Sequence, residues 1–500
     1  MLITESHKDD IYGTVSCYDR VIINGTAGRF GYADGMTSFF YEMGYRIFDF
    51  AKIFTPTTES IKDNAQRIAA ENGVEIEYIR KTGAFRKDDR IAEIIEQRGP
   101  GEGLVHIFSA LELSNTYKPW HDKSTHKTYF KYDQTKCLHY YFYFIDKELG
   151  LCFFKVPTIA PFRTTFYFNG HNLLETKLNK RGVTYEKKDN AFTYISDFEA
   201  AQALSDNMRI EDLHSALDIF TARYCPLPAD WTLRWNYTVQ QVEYSTDVLF
   251  RSGDSLKPVY DNIIKTAMHT VTPTDIASFL GKSFSVLFEG EAGSKFNKRI
   301  LGTRIKHQMG EVSVKIYDKF GTVLRIEVTS NDVSEFKTYR EVQKRDGTVV
   351  MMTAPVKKSI YSLFALIQVF KNAIRRYLDF ISSFDDPSDG LKKLDKVVKP
   401  VTENSRNYKG FNFFDDGDEK ILLAVADGRF TIKGMTNKGL RSVLPDKTPG
   451  QLSRILKRLR LHGLIKKVAK SYKYYLTKLG RQIIVAGFKF KNMTLIPDLA

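Results

Sequence analysis

The sequence predicts an α+β multidomain chain with an N-terminal α/β unit, a central mixed-sheet domain and a C-terminal winged helix-turn-helix. Three observations carry that prediction. Strand-like and helix-like patterns alternate over residues 12–112, aromatic alternating runs crowd residues 137–195, and the last hundred residues read as three helices followed by a cationic two-stranded ribbon. At 500 residues the chain is long enough for about three domains. The expected boundaries are an α/β domain over 1–115, a central α+β domain over 116–384, a linker over 385–405 and the winged-helix domain over 406–500.

A hydrophobic share of 43% with 27% charged residues excludes a disordered chain. Residues 1–10 carry Glu5, Asp9 and Asp10 where a secretory leader would need a positive start and an apolar run. No apolar stretch approaches the roughly 20 residues that span a bilayer. A cytoplasmic protein with no membrane partner is therefore expected. Cys17, Cys137, Cys152 and Cys225 are scattered with no CxxC pair, which points to buried reduced thiols rather than disulfides or zinc.

In the N-terminal unit the expected elements are strands over 14–24, 74–79 and 104–110, with helices over 35–52, 61–72 and 87–98. Their alternation suggests βαβ crossovers. Gly25, Gly28, Gly31 and Gly35 match neither GxGxxG nor GxxxxGK[ST], so they are read as turn glycines, and no organic cofactor is expected. Residues 117–126 form an expected polar loop in which Trp120 could stack on a base or pack on a neighbouring domain.

In the central domain, strands are expected over 137–145, 151–156 and 162–168, and a helix over 172–181. His139 and His171 are each either a lone catalytic group or a satisfied structural histidine. The strand over 240–248 places Glu243, Ser245 and Asp247 on one face. At about 3.3 Å per residue its two carboxylates lie about 13 Å apart, too far to share a metal without partners from elsewhere.

The densest cluster of candidate residues lies between Glu289 and Glu327. With Gly321 left-handed at the end of a loop over 319–321, Asp318 opposes Thr322 and the hairpin carries Lys315, Tyr317, Arg325 and Glu327 on one polar face. A phenol beside two cations would have a lowered pKa and could attack a phosphodiester. Tyr317, Lys315, Arg325 and His307 are thus candidate catalytic groups. Glu327 and Asp318, with Glu289 or Glu291, are candidate ligands for Mg²⁺ or Mn²⁺. The alternative is a solvated hairpin face laced with ion pairs.

Gly302-Thr-Arg, Val314-Lys-Ile-Tyr-Asp-Lys319 and Leu324-Arg-Ile-Glu327 resemble a stretch of plasmid and phage rolling-circle replication initiators, in which a YDK tripeptide precedes an R-x-E strand. That resemblance covers about 30 residues and implies a metal-dependent DNA-nicking domain with Tyr317, Asp318, Lys319, Arg325 and Glu327 at motif positions. The two-histidine signature of such enzymes is missing, because Tyr141 stands where the partner of His139 would be. Over its whole length the chain is similar to a widespread group of bacterial proteins sharing the aromatic 137–144 strand, Asn169-Gly-His171, the YDK hairpin and the winged end. This wider resemblance implies architecture rather than an activity.

After a long helix over 364–384 and the connector comes the basic end. Residues 401–500 hold 20 Lys or Arg against 8 Asp or Glu, and 451–481 hold ten basic residues and no acidic one. Helices are expected over 418–427 and 438–444, and a third opens at Thr448-Pro449, an N-cap followed by proline at the first helical position. Strands over 464–468 and 472–476 complete a winged helix. In such a module Gln451, Ser453 and Arg454 reach base edges, while Lys457, Arg458, Lys466, Lys467, Lys470 and Lys473 meet phosphates. Nucleic acid is the expected partner, duplex DNA first and structured RNA second, with a dimer compatible and a protein-protein platform as the alternative. The function classes left open are a DNA-nicking replication or mobile-element protein, a non-catalytic transcriptional regulator and an RNA binder.

Overall fold

A computed structural model describes residues 2–80, 85–283, 290–299, 302–385, 388–430, 434–469 and 471–499. The chain divides into two compact units, 1–385 and 386–500.

The first unit is built on one mixed sheet. Its strands are β1 (Ile11–Ala27), β2 (Ile76–Tyr78), β3 (Gly103–Asp122), β4 (Lys127–Asp146), β5 (Gly150–Pro157) and β6 (Thr164–Phe168), followed after a small β7 (Tyr185–Lys188) and β8 (Ala191–Ile195) hairpin by β9 (Trp235–Phe250), β10 (Ala292–Arg299), β11 (Gly302–Met309), β12 (Val312–Lys319) and β13 (Val323–Ser330). The 11 strands of the main sheet run in the order β10-β11-β12-β13-β9-β1-β6-β5-β4-β3-β2. Only β2 and β3 pair in parallel, joined through the helix Lys87–Arg98. The expected boundary at 115/116 therefore falls inside β3, and the expected α/β and central domains share one sheet. Sequence-local patterns cannot reveal this, because β1 joins the sheet by pairing with β9 more than 200 residues away.

The sheet's two faces differ. One is covered by the helices Ala33–Glu42, Phe50–Glu71, Ile210–Tyr224, Gly253–Thr270 and Leu363–Asp385, whose apolar residues join Val21, Ile23, Val242, Val314, Ile326 and Val328 in the main core. On the other face the covering is local. The helices Gly170–Arg181 and Phe198–Asp206 and the β7–β8 hairpin bury Val15, Cys17, Leu249 and Val323, while the helix Lys87–Arg98 packs on β3 and β4. Polar side chains of the central strands lie on this second face.

All four cysteines are free and buried, as expected. Residues 117–126 are not a loop through most of their length, because β3 and β4 pair through Trp120 opposite Tyr129 and on to Asp122 opposite Lys127. Among the described residues no helix is long and apolar enough to cross a membrane.

The second unit begins with a helix, Ser388–Val398, where a linker was expected, and then a small hairpin, Val401–Glu403 with Arg406–Tyr408. An i, i+3, i+7 apolar pattern, Leu391, Leu394 and Val398, suits that segment to a helix. Helices Asp416–Ala426, Asn437–Arg441 and Pro449–Leu461 follow, then paired strands Ile465–Lys467 and Tyr474–Leu476 and the helix Lys478–Phe490. Leu422, Leu440, Leu452, Leu456, Leu459 and Leu464 form their common core. The third helix opens on a capping box, with Thr448 Oγ1 accepting from Gln451 N and Gln451 Oε1 accepting from Thr448 N. It ends at Gly463, whose φ of 73° is the left-handed conformation glycine adopts without strain.

Candidate functional site

The register of β12 and β13 decides what the polar face contains. Lys315 pairs with Glu327, Tyr317 with Arg325 and Lys319 with Val323. The faces are as expected, but the pairing is shifted by two residues because the loop between the paired Lys319 and Val323 is 320–322, one residue further along than expected. Phe320 and Gly321 in it are both left-handed, with φ of 58° and 78°. Gly321 N donates to Asp318 Oδ1 at 3.0 Å, so Asp318 holds the turn.

Strand β9 lies beside β13, with Asp247 opposite Arg325 and Thr329 opposite Glu243. On its other side, β1 shifts register between Tyr18 and Arg20. This bulge leaves Asp19 as the extra residue, and bulges re-aim side chains in this way. Asp19 is buried beside Arg325 and His171.

The fully buried Arg325 donates from Nε and Nη2 to the two oxygens of Asp247, each at 2.6 Å, and from Nη2 to the Asn190 carbonyl at 2.6 Å. Its Nη1 lies 3.4 Å from Asp19 Oδ2. Nη2 also stands 2.9 Å from His171 Nε2. His171 Nε2 also lies 3.4 Å from Asp247 Oδ2, and Nδ1 lies 3.2 Å from Asp19 Oδ1, so the ring is wedged between two carboxylates and the guanidinium. Burial disfavours a charged ring, whereas Cys17 and the flanking Asp19 and Asp247 push its pKa well above the ordinary histidine range. Burial also opposes the Asp19 carboxylate, but Arg325 and His171 outweigh it and hold its pKa well below the usual range.

Asn169 and Asn190 donate to Asp19 Oδ1 at 3.2 and 2.7 Å. The same two side chains line a cleft of about 1170 Å³ floored by Tyr143 and Tyr167 and flanked by the helices Lys87–Arg98 and Gly170–Arg181. Asp19 is thus one side chain removed from that cleft.

Next to this network lies a second one. Lys315 Nζ donates to Glu327 Oε1 and to Glu243 Oε1, Thr329 Oγ1 lies 3.1 and 3.2 Å from Glu327 Oε1 and Glu243 Oε1 with its one proton for either, and Tyr317 OH donates to Glu327 Oε2 at 2.9 Å. Burial and Glu327 push the Tyr317 pKa well above the ordinary phenol value. The expectation of a phenol acidified by two cations is therefore corrected, because the shifted register puts a carboxylate on its hydroxyl. Burial and the neighbouring Glu327 raise Glu243 as well. Single oxygens of Asp19, Glu243 and Glu327 lie within 4.8 Å of one another. An all-oxygen donor set suits a hard divalent cation such as Mg²⁺ or Mn²⁺. Lys315 already stands between two of the three, so a metal there would have to share or displace the ammonium.

The remaining candidates lie elsewhere. His307 is on the opposite face, opposite Val314, where Nδ1 meets Ser294 Oγ at 2.7 Å and Nε2 meets Tyr377 OH at 2.9 Å; burial lowers its pKa to about 4. It is a core histidine, not a neighbour of Tyr317. Glu291 is exposed at the start of β10, outside the carboxylate group, and Glu289 lies outside the described residues. Trp120 is partly exposed, with Lys131 Nζ 3.8 Å from its ring centre. Asp19, Asn169 and Asn190 were missed by sequence reasoning; the one signal for Asp19 was a carboxylate, beside Arg20, in the middle of the 14–24 strand.

In the second unit Arg454, Lys466, Lys467 and Lys473 are exposed, while Lys470 lies outside the described residues. Arg458 is buried and turned inward, bidentate to Asp418 at 2.6 and 2.8 Å with its guanidinium over Phe411, so it braces the fold and is not available to phosphate. Lys457 pairs with Glu403 at 2.8 Å. Ser453 Oγ accepts from Asn437 Nδ2 at 2.9 Å and Gln451 commits its oxygen to the cap. Comparisons with protein families, curated proteins and solved structures find no match to this chain.

Proposed function

We propose that the protein binds duplex DNA through its C-terminal unit, acting as a winged helix. The observation that carries the reading is the set of exposed cations Arg454, Lys466, Lys467 and Lys473 on the third helix and the two-stranded ribbon, in a stretch, 451–481, without one acidic residue. Two further features support it. The bridge between Met435 and Tyr474 ties the ribbon to the segment ahead of the second helix, and Asn437 to Ser453 ties the second helix to the third. That is the element order in which a winged helix lays its third helix in a major groove and its ribbon along phosphates. Arg454 and the Gln451 amide nitrogen are the groups that would meet base edges. In the full chain, replacing Arg454, Lys466, Lys467 and Lys473 together with Ala should weaken binding to a labelled 30-bp duplex at least tenfold. An unchanged affinity overturns the reading. A structured RNA that outcompetes the duplex would assign the module to RNA instead.

A second reading, metal-dependent nicking by the first unit, is favoured by one observation, the hydrogen bond from Tyr317 OH to Glu327 Oε2. A phenol of high pKa needs a base, and a carboxylate at 2.9 Å is placed to be one. Attack of the phenolic oxygen on phosphorus would form a tyrosyl phosphodiester, pass the phenol proton to Glu327 and release a deoxyribose hydroxylate. Asp19, Glu243 and Glu327 would hold Mg²⁺ or Mn²⁺, which supplies charge neutralisation at the phosphate. Supercoiled plasmid with Mn²⁺ should yield nicked circles and a covalent adduct, both lost in Tyr317→Phe. If nicking persists in Tyr317→Phe, this tyrosine is not the nucleophile. If binding occurs and nicking does not, the protein is a non-catalytic regulator.

A further inference from the structure

Three lysines stand side by side on adjacent strands of the first unit. Lys295 on β10 is opposite Lys306 on β11, which is opposite Lys315 on β12. Like charges directly opposite one another destabilise a sheet. At about 4.8 Å between strands the row is about 10 Å long. Lys315, at one end, is answered by Glu243 and Glu327. Among the described residues no carboxylate lies within 4.0 Å of Lys306, which is half-buried, or of Lys295, which is exposed. Burial, together with Lys315, Arg304 and Lys295, pushes the Lys306 pKa down. Glu243 acts the other way on Lys306, so among the described residues the Lys295 end of the row is the least compensated.

A polyanion compensates it. At the exposed Lys295 end a flat sheet surface gives the convex edge of a duplex no groove to enter, but lets an extended single strand lie with its phosphates along the cations. We infer that the Lys295–Lys306 end of this row is a second nucleic-acid contact, a track for the phosphate backbone of single-stranded DNA. Its binding role is independent of the winged-helix reading.

The test uses the full chain already carrying Ala at Arg454, Lys466, Lys467 and Lys473, so that the ribbon no longer contributes. Fluorescence anisotropy with labelled dT30 should show binding that survives in this background and falls at least tenfold when Lys295→Ala and Lys306→Ala are added. The slope of log affinity against log salt should fall by about 1.4, at about 0.7 per phosphate contact on single strands. Lys306→Arg should retain the affinity of the background. The thermal midpoint should not drop in the double replacement, since removing like charges relieves strain in the sheet. Loss of dT30 binding in the background alone, an unchanged affinity on adding the two replacements, or tighter binding of U30 than of dT30 would each overturn the inference.

Discussion

Arg325 keeps its charge with no solvent contact because Asp247, Asp19 and the Asn190 carbonyl surround it with acceptors. Removing one member of such a pair leaves the other charge buried and alone, at a cost of about 3–5 kcal/mol. Arg325→Ala and Asp247→Asn should each lower the urea midpoint accordingly, and the double replacement by apolar residues should cost less than the two singles added together. Several buried groups shape the acid limb, among them Asp19, His139, His307 and Asp247. Burial lowers the His307 pKa to about 4, below its unfolded value, so its contribution is complete above roughly pH 6.5 and is lost as pH falls toward 4, amounting to about 3 kcal/mol. Burial opposes the Asp247 carboxylate, but Arg325 and His171 hold its pKa at about 2, so its contribution, about 2 kcal/mol, is complete above roughly pH 4 and lost as pH falls toward 2. Thermal midpoints measured from pH 7 to pH 4 should fall continuously, and His307→Gln should flatten that fall. A profile that is flat over this range in the unsubstituted protein would contradict the burial of a neutral His307.

The helix Pro449–Leu461 of the second unit was legible residue by residue, because capping is local: Thr448, Pro449, Gln451 and Gly463 fix its ends. Thr448→Ala should cost about 1 kcal/mol in thermal or urea unfolding. The hairpin was legible in its faces and wrong in its pairs. Left-handed hairpin positions normally announce themselves by Asn or Gly, and here a bulky Phe320 takes one beside Gly321, so the pattern hides where the loop lies. Gly321→Val, at a φ of 78°, should destabilise by about 1–2 kcal/mol. Arg458 illustrates the opposite error. It sits among cations in the sequence, and only the packing of Asp418 and Phe411 against it reveals that it points inward. The candidate site was half-legible for a related reason. Glu243, Asp247, Arg325 and Glu327 show as polar residues on strand faces, but the bulge that swings Asp19 among them and the helix start that brings His171 depend on contacts far apart in sequence.

At the scale of the whole molecule, the sheet makes 1–385 one folding unit. A fragment of residues 1–115 would leave both edges of β1 without β6 and β9, and it should remain unfolded by circular dichroism. A folded fragment would contradict the topology. The central claim is that the second unit presents its exposed cations to duplex phosphate. The direct measurement is the salt dependence of duplex affinity for the full chain and for the variant with Arg454, Lys466, Lys467 and Lys473 replaced by Ala. At about 0.9 per contact, the slope of log affinity against log salt should become shallower by about 3 to 4 in the variant. Identical slopes would mean that these four side chains do not touch the DNA backbone, and the assignment of duplex binding to this unit would be wrong.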